Sequence, residues 1–143
     1  MKTIVVSGAR SNVGKTTLAE AIRELLPMSV CVKLGHGEEK KGAGNIFYHA
    51  GKPFEEIVEE NRGAEFLIVE SNRILEEIEP DLAIYIPAGD PKPSAALAEA
   101  RADLVRGRDG CGDEVRLVAE RLGIKHETAG RIVSEVCRER DYE

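Results

Sequence analysis

The stretch Gly8-Ala9-Arg10-Ser11-Asn12-Val13-Gly14-Lys15-Thr16-Thr17 follows the apolar run Ile4-Val5-Val6 and precedes Leu18-Ala19-Glu20-Ala21-Ile22. A glycine-bearing loop between a strand and a helix, closed by Gly-Lys-Thr-Thr, is the pattern of a phosphate-binding loop. A nucleoside triphosphate concentrates negative charge, which backbone N–H groups at a helix N-terminus and one mobile ammonium meet best. In that pattern Lys15 reaches the β and γ phosphates and Thr16 offers its hydroxyl to Mg²⁺, while Ala9, Arg10, Ser11, Asn12, Val13, Gly14 and Thr17 complete the cradle. The first position of the motif, counted back from Gly14, is Ala9, with a glycine one residue earlier at Gly8.

Working outward, Leu18, Ala21, Ile22, Leu25 and Leu26 form a one-faced helical stripe that ends at Pro27. Ser29 to Leu34 reads as a second strand. The glycine-rich stretch from Gly35 to Gly44, with its charge run Glu38-Glu39-Lys40-Lys41, reads as a mobile surface loop that has little to bury. Ile46-Phe47-Tyr48 fits a short strand or a turn of helix. Pro53 opens a helix carrying Phe54, Ile57 and Val58. Glu65 to Glu70 is nearly continuous in apolar residues and ends in a carboxylate, as a central parallel strand covered on both faces would. A short helix at Ile74-Leu75-Ile78, a strand at Asp81 to Ile86, a helix at Ala95 to Ala100 and a last strand at Ala102 to Val105 follow.

This alternation predicts an α/β fold, a doubly wound, mostly parallel sheet of the P-loop NTPase type. From Gly110 two amphipathic stripes separated by Gly123 predict a C-terminal helical hairpin. The expected division is a nucleotide-binding domain over 1–108 and a two-helix appendage over 109–143. The order Ala119, Leu122-Gly123-Ile124, Thr128 and Ile132 also has the spacing of a helix-turn-helix, but the hairpin is not basic and phosphate contacts dominate DNA affinity, which favours a hairpin packed against the sheet. With a net charge of −6 and no Trp, the chain is expected to bind neither nucleic acid in general nor other polyanions.

Cys31, Cys111 and Cys137 are far apart, which suggests reduced thiols rather than a disulfide framework or a zinc site. Met1-Lys2-Thr3 leads straight into the first strand and no apolar stretch approaches bilayer length, so the expectation is a cytoplasmic chain without membrane association.

Beyond the loop, Glu70 stands at a strand end where nucleotide hydrolases hold Mg²⁺ or its water; a solvated strand-end carboxylate is the alternative. Lys15 and Glu70 are therefore the candidate catalytic pair, and Thr16 and Glu70 the candidate metal ligands. Lys33, at the carboxyl end of the second strand, is placed either to meet phosphate or to face solvent. His36 and His49 are either phosphate or metal contacts or solvated loop side chains. Arg10 is either a phosphate contact or a solvated loop tip. No Asn-Lys-x-Asp occurs, so the choice between GTP and ATP stays open; Asp90-Pro91-Lys92-Pro93 fits a base-pocket edge or an ordinary turn.

Gly14-Lys15-Thr16-Thr17, Val32-Lys33 leading into Gly35-His36-Gly37, His49-Ala50-Gly51 and Leu67-Ile68-Val69-Glu70 together resemble MobB, the molybdopterin-guanine dinucleotide biosynthesis protein B family. The resemblance spans roughly Lys2 to Val105 and rests on motif order. Lys33 and His36 match the family's Lys-His-x-His-His segment, whereas Leu34 and Gly37 stand in place of histidines, and Ser71 replaces the glycine after the strand-end glutamate. It implies a GTP-binding protein, usually dimeric and weakly GTP-hydrolysing, that assists attachment of the guanine nucleotide to molybdopterin alongside a molybdenum cofactor biosynthesis enzyme. Arg10 occupies the position of the signature lysine of MinD and ParA ATPases, so a dimerising ATPase is the related alternative. A non-hydrolysing nucleotide-binding adaptor and a DNA-binding regulator are the readings from other classes.

Overall fold

The structure is a computed structural model that describes residues 1–107 and 112–137. In chain order the elements are β1 (Lys2–Gly8), α1 (Lys15–Leu25), β2 (Ser29–Gly35), β3 (Lys40–Lys41), β4 (Asn45–His49), α2 (Phe54–Glu60) and β5 (Phe66–Glu70). A 3-10 turn (Arg73–Glu76), β6 (Leu82–Ile86), α3 (Ala95–Arg101), β7 (Leu104–Val105), α4 (Gly112–Leu122) and α5 (His126–Cys137) follow.

The strands form one sheet in the order β3-β4-β2-β5-β1-β6-β7. Every described pairing is parallel except β3 with β4. The chain leaves β1 toward one edge and later crosses back to β6 on its other side, which makes the fold doubly wound. Central position explains composition: all five residues of β5 and of β6 are buried, as unbroken apolar runs require when both faces are covered.

Alternate residues of the central strands feed two cores. Ile4, Val6, Ile68, Leu82 and Ile84 face Leu18 and Ile22 of α1 with Val118, Leu122, Ile132 and Val136 of the last two helices. Val5, Leu67, Val69 and Tyr85 face Ile57 of α2, Leu75 of the 3-10 turn and Ala98 of α3. The side-chain period of two along a strand produces this split.

One sequence expectation changes and one open alternative closes. The stretch from Gly35 to Gly44 is not loop throughout: Lys40 and Lys41 pair with Phe47 and Ile46 as β3. Its charge run is partly engaged, because Lys52 bonds Glu39 at 3.1 Å and Lys41 lies 3.4 Å from a Glu60 carboxylate oxygen, while Lys52 also pairs with Glu60. Ile46-Phe47-Tyr48 is strand, with the Tyr48 ring fully buried.

The two-helix unit completes the core on the α1 face. Its stripes Val118-Leu122 and Ala129-Ile132-Val133-Val136 are buried in the same cluster as β1 and α1. Arg106, just after β7, ties the unit down by donating to the Val136 and Glu135 carbonyls, each at 3.1 Å, at the carbonyl end of α5. The expected boundary at 108/109 and Cys111 lie outside the described residues.

Candidate functional site

Parallel register brings the carboxyl ends of four strands together. Val6 pairs with Glu70, Gly8 with Ile86, and Lys33 with Glu70. Beyond them opens a cleft of about 830 Å³ at the point where the winding reverses, the usual ligand position in open α/β sheets. Its walls include residues 10–17, Lys33, His36, Glu70 and Lys92.

The loop is shaped by two glycines. Gly14 has φ 100°, caps α1 and turns the chain into it. Gly8 is needed for a different reason: a Cβ there would stand 2.6 Å from Val13 Cγ2. That contact accounts for the glycine one position early. Ala9 can then be ordinary, and it does not reach the cleft. It is fully buried, with its N–H donating to the Ile86 carbonyl at 2.9 Å and its carbonyl accepting the Lys92 N–H at 2.7 Å. Ala9, expected as a nucleotide contact, is a support beneath the loop.

α1 has no side-chain N-cap bond and no acidic residue in its first turn. Its positive end therefore faces the cleft uncompensated, a natural anion seat. Lys15 stands at that end. Burial lowers its pKa from the ordinary lysine value; Glu70 opposes this, while Lys92 and Lys33 push the same way as burial. No carboxylate lies within salt-bridge distance of its ammonium among the described residues. A partly buried ammonium flanked by two further lysines leaves the cleft short of negative charge.

Glu70 is 7% exposed and accepts a 2.7 Å hydrogen bond from Thr16 Oγ1. A hydroxyl and a carboxylate side by side are hard oxygen donors. They suit Mg²⁺, which takes one or two protein oxygens and completes its shell with phosphate and water. The described residues hold no group of three or more His, Cys, Asp or Glu side chains able to bind a metal by themselves.

Of the other expected residues, Arg10, Ser11, Asn12, Val13, Thr17, Lys33 and His36 all line the cleft. His49 does not; its Nδ1 accepts the Gly51 N–H at 3.0 Å in a local turn. Two residues expected only to gather at this end of the sheet, Asn72 and Lys92, prove to brace the loop. Asn72 Oδ1 accepts the Gly8 N–H at 3.0 Å, and its Nδ2 donates to the Gly8 carbonyl at 2.8 Å and to Ser94 Oγ at 3.2 Å. Lys92 donates from Nζ to Ser11 Oγ at 2.9 Å, bracing the loop from the β6 side. Pro91 and Pro93 around Lys92 were a turn signal, but nothing local marks its reach to Ser11.

Among the described residues no helix is long and apolar enough to cross a membrane. No family model, curated protein or solved structure matches the chain.

Proposed function

We propose that the chain binds a nucleoside triphosphate with Mg²⁺ in this cleft and turns it over slowly if at all. The observation that carries the reading is the 2.7 Å Thr16–Glu70 pair beside Lys15 at the uncapped start of α1. Lys15 meets the β and γ phosphates, the backbone N–H groups of the loop hold the phosphate oxygens, and Thr16 with Glu70 holds the metal. When bound, Mg²⁺ neutralises charge shared between the β and γ oxygens. Lys33 and Lys92 add positive potential on the two flanks.

Slow turnover follows from the donor set. Glu70 is the one carboxylate among the described cleft residues, and Thr16 already engages it. No second carboxylate or glutamine is there to orient an attacking water, although the rest of phosphoryl transfer needs only positioning and charge.

The likeness to the MobB family gives the reading its biological setting: a GTP-binding, usually dimeric protein assisting attachment of the guanine nucleotide to molybdopterin. Lys33 and His36, the matching residues, both line the cleft, which supports it. A dimerising ATPase is the second reading, favoured by Arg10, which is exposed at the loop tip where a partner's nucleotide would meet it. Calorimetric titration with GTP and ATP, each with and without Mg²⁺, tests both. Binding selective for GTP supports the first and selective for ATP the second. No binding of either overturns the proposal, and multiple-turnover phosphate release measures the rate.

A further inference from the structure

The segment between β6 and α3 reaches back to the phosphate loop with one cation. Lys92 stands between Pro91 and Pro93, whose rings restrict the backbone on both sides of it. Its N–H donates to the Ala9 carbonyl at 2.7 Å, beneath the loop, and its carbonyl accepts the Ala95 N–H at 2.9 Å, at the start of α3. The backbone of Lys92 is thus anchored in both directions. Its exposed side chain crosses to the cleft, where Nζ donates to Ser11 Oγ at 2.9 Å.

A neutral hydroxyl uses little of what an ammonium offers. Lysine carries three donors, and Ser11 takes one of them. No carboxylate lies within ion-pair distance of Lys92 among the described residues. The cleft around it is lined by Arg10, Lys15, Lys33 and Lys92 against one described carboxylate, Glu70, which Thr16 already engages. Burial comes first in lowering the Lys15 pKa, and Lys92 and Lys33 add to it against the pull of Glu70, so these ammoniums lie close enough to repel. An anion between them relieves that repulsion. Hydrogen bonds to a charged oxygen are about twice as strong as neutral ones, so a phosphate competes well with Ser11 for Lys92.

Position narrows the anion further. Lys15 stands at the start of α1 beside the loop N–H groups, whereas Lys92 is held upstream, at Ser11. Two ammoniums fixed at separate points of one loop suit linked phosphates, each meeting its own lysine.

We propose that Lys92 is a phosphate-binding residue contributed from outside the loop, which leaves Ser11 to grip the polyphosphate chain of the ligand next to the phosphate that Lys15 holds. This contact rests on the reading of the cleft as a phosphate seat given above, and not on which nucleoside the chain carries.

Lys92→Gln and Lys92→Arg separate contact from bracing. Glutamine can still bond Ser11 Oγ but has no charge, whereas arginine keeps the charge, and the exposed position leaves packing undisturbed in both. The full-length parent and variants are titrated by calorimetry with GTP, ATP and inorganic triphosphate, each with Mg²⁺. For every one of these that binds the parent, Lys92→Gln should weaken binding about tenfold, the loss of one charged hydrogen bond, while Lys92→Arg stays close to the parent. Parent-like binding by Lys92→Gln, or equal losses in the two variants, would overturn the contact and leave the nucleotide reading standing. Inorganic triphosphate bound by the parent and weakened in Lys92→Gln, with neither nucleotide bound, would keep the contact and overturn only the nucleotide reading. A parent that binds none of the three would overturn both.

Discussion

Asn72 grips the peptide groups of Gly8 from both sides, accepting from its N–H at 3.0 Å and donating to its carbonyl at 2.8 Å. A side-chain amide here does what a neighbouring strand would do, since it continues the ladder one step past the end of β5. The same amide reaches Ser94 at the start of α3. Asn72→Ala should therefore loosen the loop as well as the fold. Urea unfolding is expected to show a loss of about 1–3 kcal/mol from the unpaired Gly8 groups. Nucleotide affinity, by titration, should fall as well; equal affinity would mean the grip is structural only.

Gly8→Ala should destabilise through one contact, the Cβ that would stand 2.6 Å from Val13 Cγ2. Overpacking of this kind costs about 1–3 kcal/mol. Adding Val13→Ala removes the obstructing methyl, so the double variant should recover most of the loss in a double-mutant cycle of urea midpoints. Additive effects would count against the contact.

Lys15 carries a burial penalty that an anion bound beside it would relieve. Its pKa in the folded protein lies below the unfolded value, so between the two the unfolded chain binds more protons. Stability then rises with pH across that alkaline window, and the penalty of the buried ammonium is fully present at neutral pH. Lys15→Met should leave the ligand-free protein as stable as the parent or more so at pH 7. The advantage should shrink as pH climbs through the window below 10.5. The same variant should lose the thermal shift that saturating Mg-nucleotide gives the parent, about 2.7 kcal/mol at 100 times the dissociation constant. A retained shift would remove Lys15 from the site.

Glu70→Gln keeps an oxygen for the Thr16 hydroxyl but removes the charge. Thermal melts without ligand should change little, whereas the Mg²⁺ concentration needed for nucleotide binding should rise by about tenfold, the value of one charge-assisted contact. Identical Mg²⁺ titrations for the two proteins would exclude Glu70 from the metal site.

Residues whose roles follow from their immediate neighbours were readable in the sequence. The Gly-Lys-Thr turn, the stripe of α1 and the carboxylate closing an apolar strand each announce themselves within a few positions, and the two-face burial of β5 and β6 follows from their unbroken apolar runs. The strand order placed Asn72 and Lys92 at the loop's end of the sheet, but their bonds were opaque because Gly8 and Ser11 come near only through the register of β1 with β5 and β6. β3 was hidden for the opposite reason: a pair of lysines has little strand propensity, and only pairing with β4 holds it. The stripes of α4 and α5 pointed to a hairpin packed against the sheet, without showing that α1 would share in covering them. Ala9 was misplaced by counting the motif back from Gly14, while the steric demand falls one residue earlier, on Gly8.

β1 pairs only with β5 and β6, so this inner strand of the sheet is synthesised before either neighbour exists. Ile4, Val5 and Val6 must wait through β2, β3, β4 and α2 before the ladder on one side can close, and through β5 and the 3-10 turn for the other. Such non-local parallel pairing is slow to form and leaves apolar edges open in the meantime. On the ribosome, the loop from Gly8 to Thr17 thus emerges before the strands that flank β1, and it can take its final shape only after both have arrived.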